Sequence, residues 1–475
     1  MVPDGARVGA TATIAGAAGS STTTGDRASL GSATAALTVA RLVSVGASFL
    51  AGVVAARLLT PGSLGLAGVG LAVGWAVAIV ANGGLNIATI YFLGRRADER
   101  PAIVAYVLSL CLGAVVLALI LTAAAAPVVG AVVLGPPAVS MLFVGAALLA
   151  AATIGYEVTG SLLLGIGRRR AYVIADLLRS VATLGLTVAV LSSVRTASAY
   201  VLATGLAVVV PTLGALLVVR HVVGRLRPRF DAAFSREALR LGLAGQVGNV
   251  LTFVNLRLDL LLVPALLRLD LAGIYFVATR VSEVVGQVST ASAAMLFPHV
   301  AANGKARETS TTERATRLTL LVTFVLAVVL AVAAPMVLGS IFGPAYRVGF
   351  AALLILLLGM LPMALTRTLA ADLKGRGRPG VVSAATGVGA AVTVIADLVL
   401  IPRLGIEGAA VASALAYAVT ALVLLGCYRR VTGGRSLALL PCASDLRDLV
   451  GVVRRTLPHR GRVRWVRSRR EGSRP

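Results

Sequence analysis

Twelve stretches of about twenty or more mostly apolar residues recur along this chain, and few folds can accommodate them. They run over 36–59, 64–93, 102–133, 138–166, 171–192, 197–219, 239–267, 271–298, 316–341, 348–373, 380–402 and 406–428. Inside lipid every backbone N–H and C=O must find a partner within its own segment or in a closed barrel. The two-residue alternation of barrel strands is absent, so each stretch reads as a helix and the chain as an all-α polytopic membrane protein. Composition agrees: of 475 residues, 58% are hydrophobic and 13% charged, with mean hydropathy +0.92. Cys111, Cys427 and Cys442 form no disulfide or metal pattern, and His221, His299 and His459 are scattered. No metal or other cofactor is expected.

The loops set the expected orientation. Those after even-numbered segments carry Arg95, Arg96 and Arg100; Arg168, Arg169 and Arg170; Arg220, Arg225, Arg227, Arg229 and Arg236; Lys305, Arg307 and Arg314; and Lys374, Arg376 and Arg378. Four loops after odd-numbered segments hold one basic residue each: Arg195, Arg268, Arg347 and Arg403. The positive-inside rule then predicts that both termini are cytoplasmic. Net charge +25 belongs to these loops and to the tail, so a nucleic-acid partner is not expected. Residues 429–475 carry thirteen arginines and read as a cytoplasmic tail touching anionic headgroups. Residues 1–35 are rich in Ser, Thr, Gly and Ala and read as a disordered tail. No removable signal peptide is recognised.

The sequence also repeats. "APVVGAVVLGPP" from Ala126 corresponds to "APMVLGSIFGPA" from Ala334, and Leu58, Leu59 and Gly65 to Leu266, Leu267 and Gly273, all offset by 208. Gly165, Gly167 and Arg168 correspond to Gly375, Gly377 and Arg378 at offset 210. Six is even, so the two halves share one orientation and are related by an axis along the membrane normal. The expected divisions are an N-lobe over 36–220, a basic linker over 221–238 and a C-lobe over 239–428. A transport site is expected between the two six-helix lobes near mid-membrane.

Charges inside apolar segments mark candidates for that site. A charge at the bilayer centre costs about 2.5–3.5 kcal/mol on insertion scales. Arg257 and Asp259 lie in segment seven, and Arg280 and Glu283 in segment eight. At 1.5 Å per residue both arginines fall about 13–15 Å below the outer surface. Arg280 and Glu283 share a helix face and can pair, whereas Arg257 and Asp259 need partners elsewhere. These residues, with Asn255, are the candidate substrate contacts. Arg41 and Arg57, near the ends of segment one, are further candidates or simply snorkel. Asp259 and Asp397 are candidate ion-coupling groups. Glu157, Asp176 and Arg179 read as bridges between neighbouring helices, and Arg367 occupies the repeat position of Glu157.

No phosphate loop, nucleophile elbow or Cys/His cluster is present, which favours transport over catalysis. "ARLLTPGSLGLAG" from Ala56, "LRLDLLLVPALLRLDLAGIYFVATRVSE" from Leu256, "FPHVA" from Phe297, "IFGPAY" from Ile341, "GRGRPGVV" from Gly375 and "LVLIPRLGIEGAAVASALAY" from Leu398 occur in order. Together they resemble the Wzx-type oligosaccharide flippases of the superfamily that includes MATE drug exporters and lipid II flippases. The resemblance implies a MATE-like fold in a bacterial cytoplasmic membrane. It implies a polyprenyl-diphosphate-linked oligosaccharide as substrate, for cell-surface polysaccharide, with membrane lipids, a polymerase and glycosyltransferases as partners. The alternative is an ion-coupled drug or small-molecule exporter of the same fold. "GRRADER" does not reproduce the loop signature of major-facilitator transporters, and the outer loops are too short for a glycosyltransferase site.

Overall fold

A computed structural model of the chain describes residues 40, 43–131, 139–224, 227–303 and 309–433. The expected N-terminal tail, all but residues 429–433 of the expected C-terminal tail, Arg41, Arg225, Lys305 and Arg307 lie outside the described residues. Among the described residues the regular structure is helical throughout, in thirteen α-helices with short 3-10 and π turns between some of them. In order they are α1 (Val43–Leu58), α2 (Pro61–Asn82), α3 (Leu85–Arg95), α4 (Arg100–Val129), α5 (Val139–Gly165), α6 (Arg169–Ser193) and α7 (Ala197–Val223). There follow α8 (Ala232–Arg257), α9 (Asp259–Leu266), α10 (Leu269–Asn303), α11 (Thr309–Met336), α12 (Phe350–Gly375) and α13 (Pro379–Thr432).

All twelve expected segments fall on these helices over their described residues, two of them with a break and two others joined end to end. Segment two is split into α2 and α3 at Gly83–Gly84, both in the left-handed region. Segment seven is bent by 42° at Leu258, between α8 and α9. Pro264, within α9, has no N–H to offer the carbonyl of Leu260. Segments eleven and twelve run together as the 54 residues of α13. A straight helix of that length would measure roughly 80 Å, far beyond a hydrocarbon core of about 30 Å. It breaks instead at Gly405, whose φ of 64° ends the first span. Among the described residues eight helices are individually long and apolar enough to cross a membrane, and the bent α8–α9 pair makes nine. Counting α13 twice, and adding α1 and the more polar α10, recovers twelve.

The repeat is visible in local detail. α5 and α12 end alike: Gly167 and Gly377, with φ of 81° and 75°, each turn the chain through the left-handed region. Around them the N–H of Arg168 bonds to Leu163 O at 2.8 Å and that of Arg378 to Leu373 O at 2.9 Å. This is the six-to-one closure of a Schellman cap, and it needs glycine at its left-handed position. α4 and α11 carry Pro127 and Pro335 near their C-terminal ends, and each runs on into a wider π turn. Packing repeats as well: α5 lies against α2, α4 and α7 as α12 lies against α10, α11 and α13. Even the inverted charge pair keeps its place. Asn82 of α2 donates to Glu157 of α5 at 2.5 Å, and Arg367 of α12 donates to Thr290 of α10 at 2.6 Å.

The halves meet chiefly where α2 crosses α10. Thr60 caps α2, accepting the Ser63 N–H at 3.2 Å, and Pro61 opens the helix. Gly65 and Gly273, equivalent in the repeat, face each other there with backbone against backbone. Equivalent residues can touch only on the symmetry axis, so the pseudo-two-fold runs between them. Beside them Arg57 donates from Nε to Ile341 O at 2.7 Å and from Nη2 to Ser340 O, and Tyr346 donates to Ala56 O at 3.2 Å. At the opposite end, near the basic loops, α3 packs on α8, Gly84 lies against Gly242, and Arg96 pairs with Glu237 at 3.0 Å.

One polar cluster braces the second half. The carboxylate of Asp372, fully buried, accepts from Thr312 at 2.7 Å and from Arg376 at 2.6 and 3.3 Å. Asp372→Ala takes away the acceptor that both donors share. The expected loss is about 3 kcal/mol, read as a melting temperature several degrees lower in detergent. An unchanged melting temperature would show that the cluster does not brace α11 on α12.

Candidate functional site

The break in segment seven explains how its charges are tolerated. Arg257 ends α8 and Asp259 begins α9. A cation is favoured at a helix C-terminus and an anion at an N-terminus, so the break places each where the backbone dipoles stabilise it. Asp259 is buried and accepts from the Tyr275 hydroxyl at 2.6 Å, its neighbour's Leu260 N–H at 2.8 Å and Ser413 at 3.3 Å. Arg257 crosses to α10, where its Nη1 lies 2.5 Å from Glu283. Arg280 reaches the other oxygen of Glu283 at 3.5 Å. The expected pairing within α10 is therefore present, and Arg257 finds its partner on that helix.

Trp75 of α2 completes the group from the other half. The Arg257 and Arg280 guanidiniums stand 5.5 and 5.3 Å from its ring centroid, and Arg280 is 5.0 Å from that of Phe276. For side chains about a quarter to a third exposed, each such contact stabilises by about 0.5–1 kcal/mol. The arginine pair of one half is thus roofed by an indole of the other.

A cavity of about 170 Å³ lies between the halves beside this cluster. Ser44 and Ser48 of α1 and Asp176 and Arg179 of α6 line one wall; Arg280 and Glu283 line the other. Asp176 and Arg179 pair at 3.0 Å within α6, and the Tyr156 hydroxyl lies 3.3 Å from Asp176. The expectation that this pair only bridges helices is incomplete, because it also faces the cavity. Two smaller spaces lie inside the second half. One, of about 130 Å³, touches Arg257, Asp259, Glu283, Arg367 and Tyr417. The other, of about 140 Å³, touches Asn255, Arg367 and Lys374.

The remaining candidates separate. Asn255 accepts from Thr393 at 2.9 Å and borders the third space. Arg57 lines none of these spaces; it is bound to the carbonyls at the α11 end, a seam role rather than snorkelling. Arg41 lies outside the described residues. Asp397 is fully buried, neither of its oxygens has a hydrogen-bond partner among the described residues, and it lies within electrostatic reach of Asp259. Among the described residues no three or more His, Cys, Asp or Glu side chains group as a metal site. Sequence reading passed over Trp75, although it is one of only two tryptophans in the chain and sits in mid-segment.

A broken helix thus carries charges at an interface between two like halves, and solved structures share this fold. The lipid II flippase MurJ in an inward closed conformation superposes with TM-score 0.69 at 12% identity, covering 88% of this chain and 92% of that one. An inward-facing multidrug resistance MATE transporter of the MOP superfamily gives 0.62 at 16%, covering 82% and 95%. A MOP-superfamily transporter from Pyrococcus furiosus gives 0.52 at 16%, covering 84% and 94%. Residues 54–349 match the polysaccharide biosynthesis protein family, and the chain belongs to that family. No match was found among curated proteins.

Proposed function

We propose that this protein is a flippase that moves a polyprenyl-diphosphate-linked oligosaccharide across a bacterial cytoplasmic membrane. The observation that carries this reading is the Arg257–Glu283–Arg280 cluster under Trp75, at the interface of the halves and beside the central cavity. A diphosphate does not cross hydrocarbon unaided. Arginine suits its recognition, because it stays charged and forms paired hydrogen bonds to phosphate oxygens. The family match and the flippase among the structural neighbours support the same class. In this reading the basic loops are cytoplasmic, and the lobes over 36–220 and 239–428 rock about the α2–α10 crossing. The product feeds a polymerase and glycosyltransferases that build surface polysaccharide. A cavity of about 170 Å³ holds only some six waters, so a saccharide enters only after the halves part.

Asp259 and Asp397 are the proposed coupling groups. An unpartnered carboxylate in a membrane protein's interior costs several kcal/mol, and a bound proton or monovalent cation removes that cost. The same observation supports the second reading, an ion-coupled small-molecule exporter. Liposomes holding the purified protein and a fluorescent polyprenyl-diphosphate oligosaccharide separate the two. The flippase reading expects translocation by the wild type and at least a tenfold loss in Arg257→Ala and Arg280→Ala, in variants that still fold and melt only a few degrees lower. Because, of the two coupling groups, Asp397 alone is unpartnered among the described residues while Asp259 accepts three hydrogen bonds, it further expects Asp397→Asn to abolish stimulation by a sodium or proton gradient. No translocation, with gradient-driven efflux of a drug, would establish the exporter instead.

A further inference from the structure

The central cavity presents two acid–arginine pairs, one from each half. Asp176 and Arg179 stand three apart on α6, and Arg280 and Glu283 stand three apart on α10. Each arginine holds its own-helix carboxylate through one nitrogen: Arg179 Nη2 at 3.0 Å from Asp176, Arg280 Nη1 at 3.5 Å from Glu283. A guanidinium has five N–H donors in a planar fork, so both retain donors for a ligand. Both are also steadied by aromatic rings, Arg179 over Tyr156 at 5.6 Å and Arg280 between Trp75 and Phe276. The cavity walls carry two positive and two negative side chains and are balanced when empty.

From this arrangement we infer that Arg179 is a second phosphoryl-binding residue, opposed to Arg280, and that the two together select a diphosphate headgroup over a monophosphate. The inference rests on the flippase reading above and deepens it. A diphosphate has two separate anionic groups, one for each wall. A monophosphate satisfies one arginine and leaves the opposite one with its carboxylate alone. Because the arginines belong to different halves, a bound diphosphate also ties the halves together across the cavity. Asp176 and Tyr156 act as positioning residues, holding the guanidinium toward the cavity.

The test is binding of two soluble probes, geranyl diphosphate and geranyl monophosphate, to the full chain in detergent by calorimetry. The wild type is expected to prefer the diphosphate about tenfold to a hundredfold, the range of one charge-assisted hydrogen-bonded contact. Arg179→Ala is expected to bring that ratio to near one while leaving monophosphate affinity within about threefold. Arg179→Lys, which keeps the charge and the fold but loses the fork, is expected to give an intermediate ratio and stands in should the alanine variant unfold. A ratio unchanged in both variants overturns the role of Arg179 and leaves the flippase reading intact. A wild type that binds neither probe overturns both.

Discussion

Gly273→Val is expected to stop translocation almost completely, by more than tenfold, in a protein that still folds. A Cβ at residue 273 would meet Pro61 O, the carbonyl carbon of Pro61 at 2.7 Å and the Gly65 N at 3.0 Å. These are backbone atoms of α2, and no side-chain rotation relieves the clash. α2 and α10 must separate, and with them the contacts of Arg57 to the α11 end and of Tyr346 to Ala56. The halves are then held apart at the end opposite the basic loops, and an alternating cycle cannot complete without closing that end. The measurement is thiol labelling of a cysteine placed at Leu59, buried beside this seam, in a background whose native cysteines are replaced. Labelling is expected to accelerate as transport falls. Gly65→Val, the symmetry-related change, is expected to act alike, because a Cβ there meets Leu269 O and lies 2.8 Å from the Gly273 N. Normal transport by either variant would show that this crossing opens or shifts freely and is no gate.

Much of this architecture is legible in the sequence because two strong signals run along the whole chain. Apolar length locates helices, and a repeated Gly-x-Gly-Arg pattern marks matching ends of α5 and α12. Gly65 and Gly273 are visible as a repeat pair, yet nothing in one dimension says that repeat mates touch on the axis. Breaks are harder. Segment two looks continuous although Gly83–Gly84 divides it, because two glycines in an apolar run are also common in unbroken spans. The site was partly legible: Arg257, Arg280 and Glu283 stand out as charges in oil, and the first two do share the third. In sequence Arg179 and Asp176 read as part of a bridge between neighbouring helices, and only the placing of α6 opposite α10 shows that the pair faces a cavity. Arg57 misled for the opposite reason. A lone arginine at a helix end looks free, but its partners are carbonyls some 280 residues away that carry no sequence mark.

Glu283→Gln is expected to move binding and transport in opposite directions. Glu283 holds Arg257 at 2.5 Å and Arg280 at 3.5 Å, so it competes with any anion that draws on the same two guanidiniums. Removing its charge removes the competitor, and affinity for geranyl diphosphate is expected to rise about tenfold, the equivalent of ~1.4 kcal/mol. Turnover is expected to fall at least as much, because release needs Glu283 to recapture the two guanidiniums, and a site that binds every state tightly slows the cycle. The three side chains are about a quarter to a third exposed, so the stability cost is smaller than for a fully buried triad, about 1–2 kcal/mol. Glu283→Asp separates charge from reach, since a carboxylate one methylene shorter retains the competitor but bridges the pair poorly. Its expected place is between wild type and the glutamine variant on both axes. A Glu283 that serves only as a brace makes a different forecast: stability, binding and transport fall together. Calorimetry beside the liposome assay therefore distinguishes an internal stand-in for the substrate's phosphate from a strut between α8 and α10.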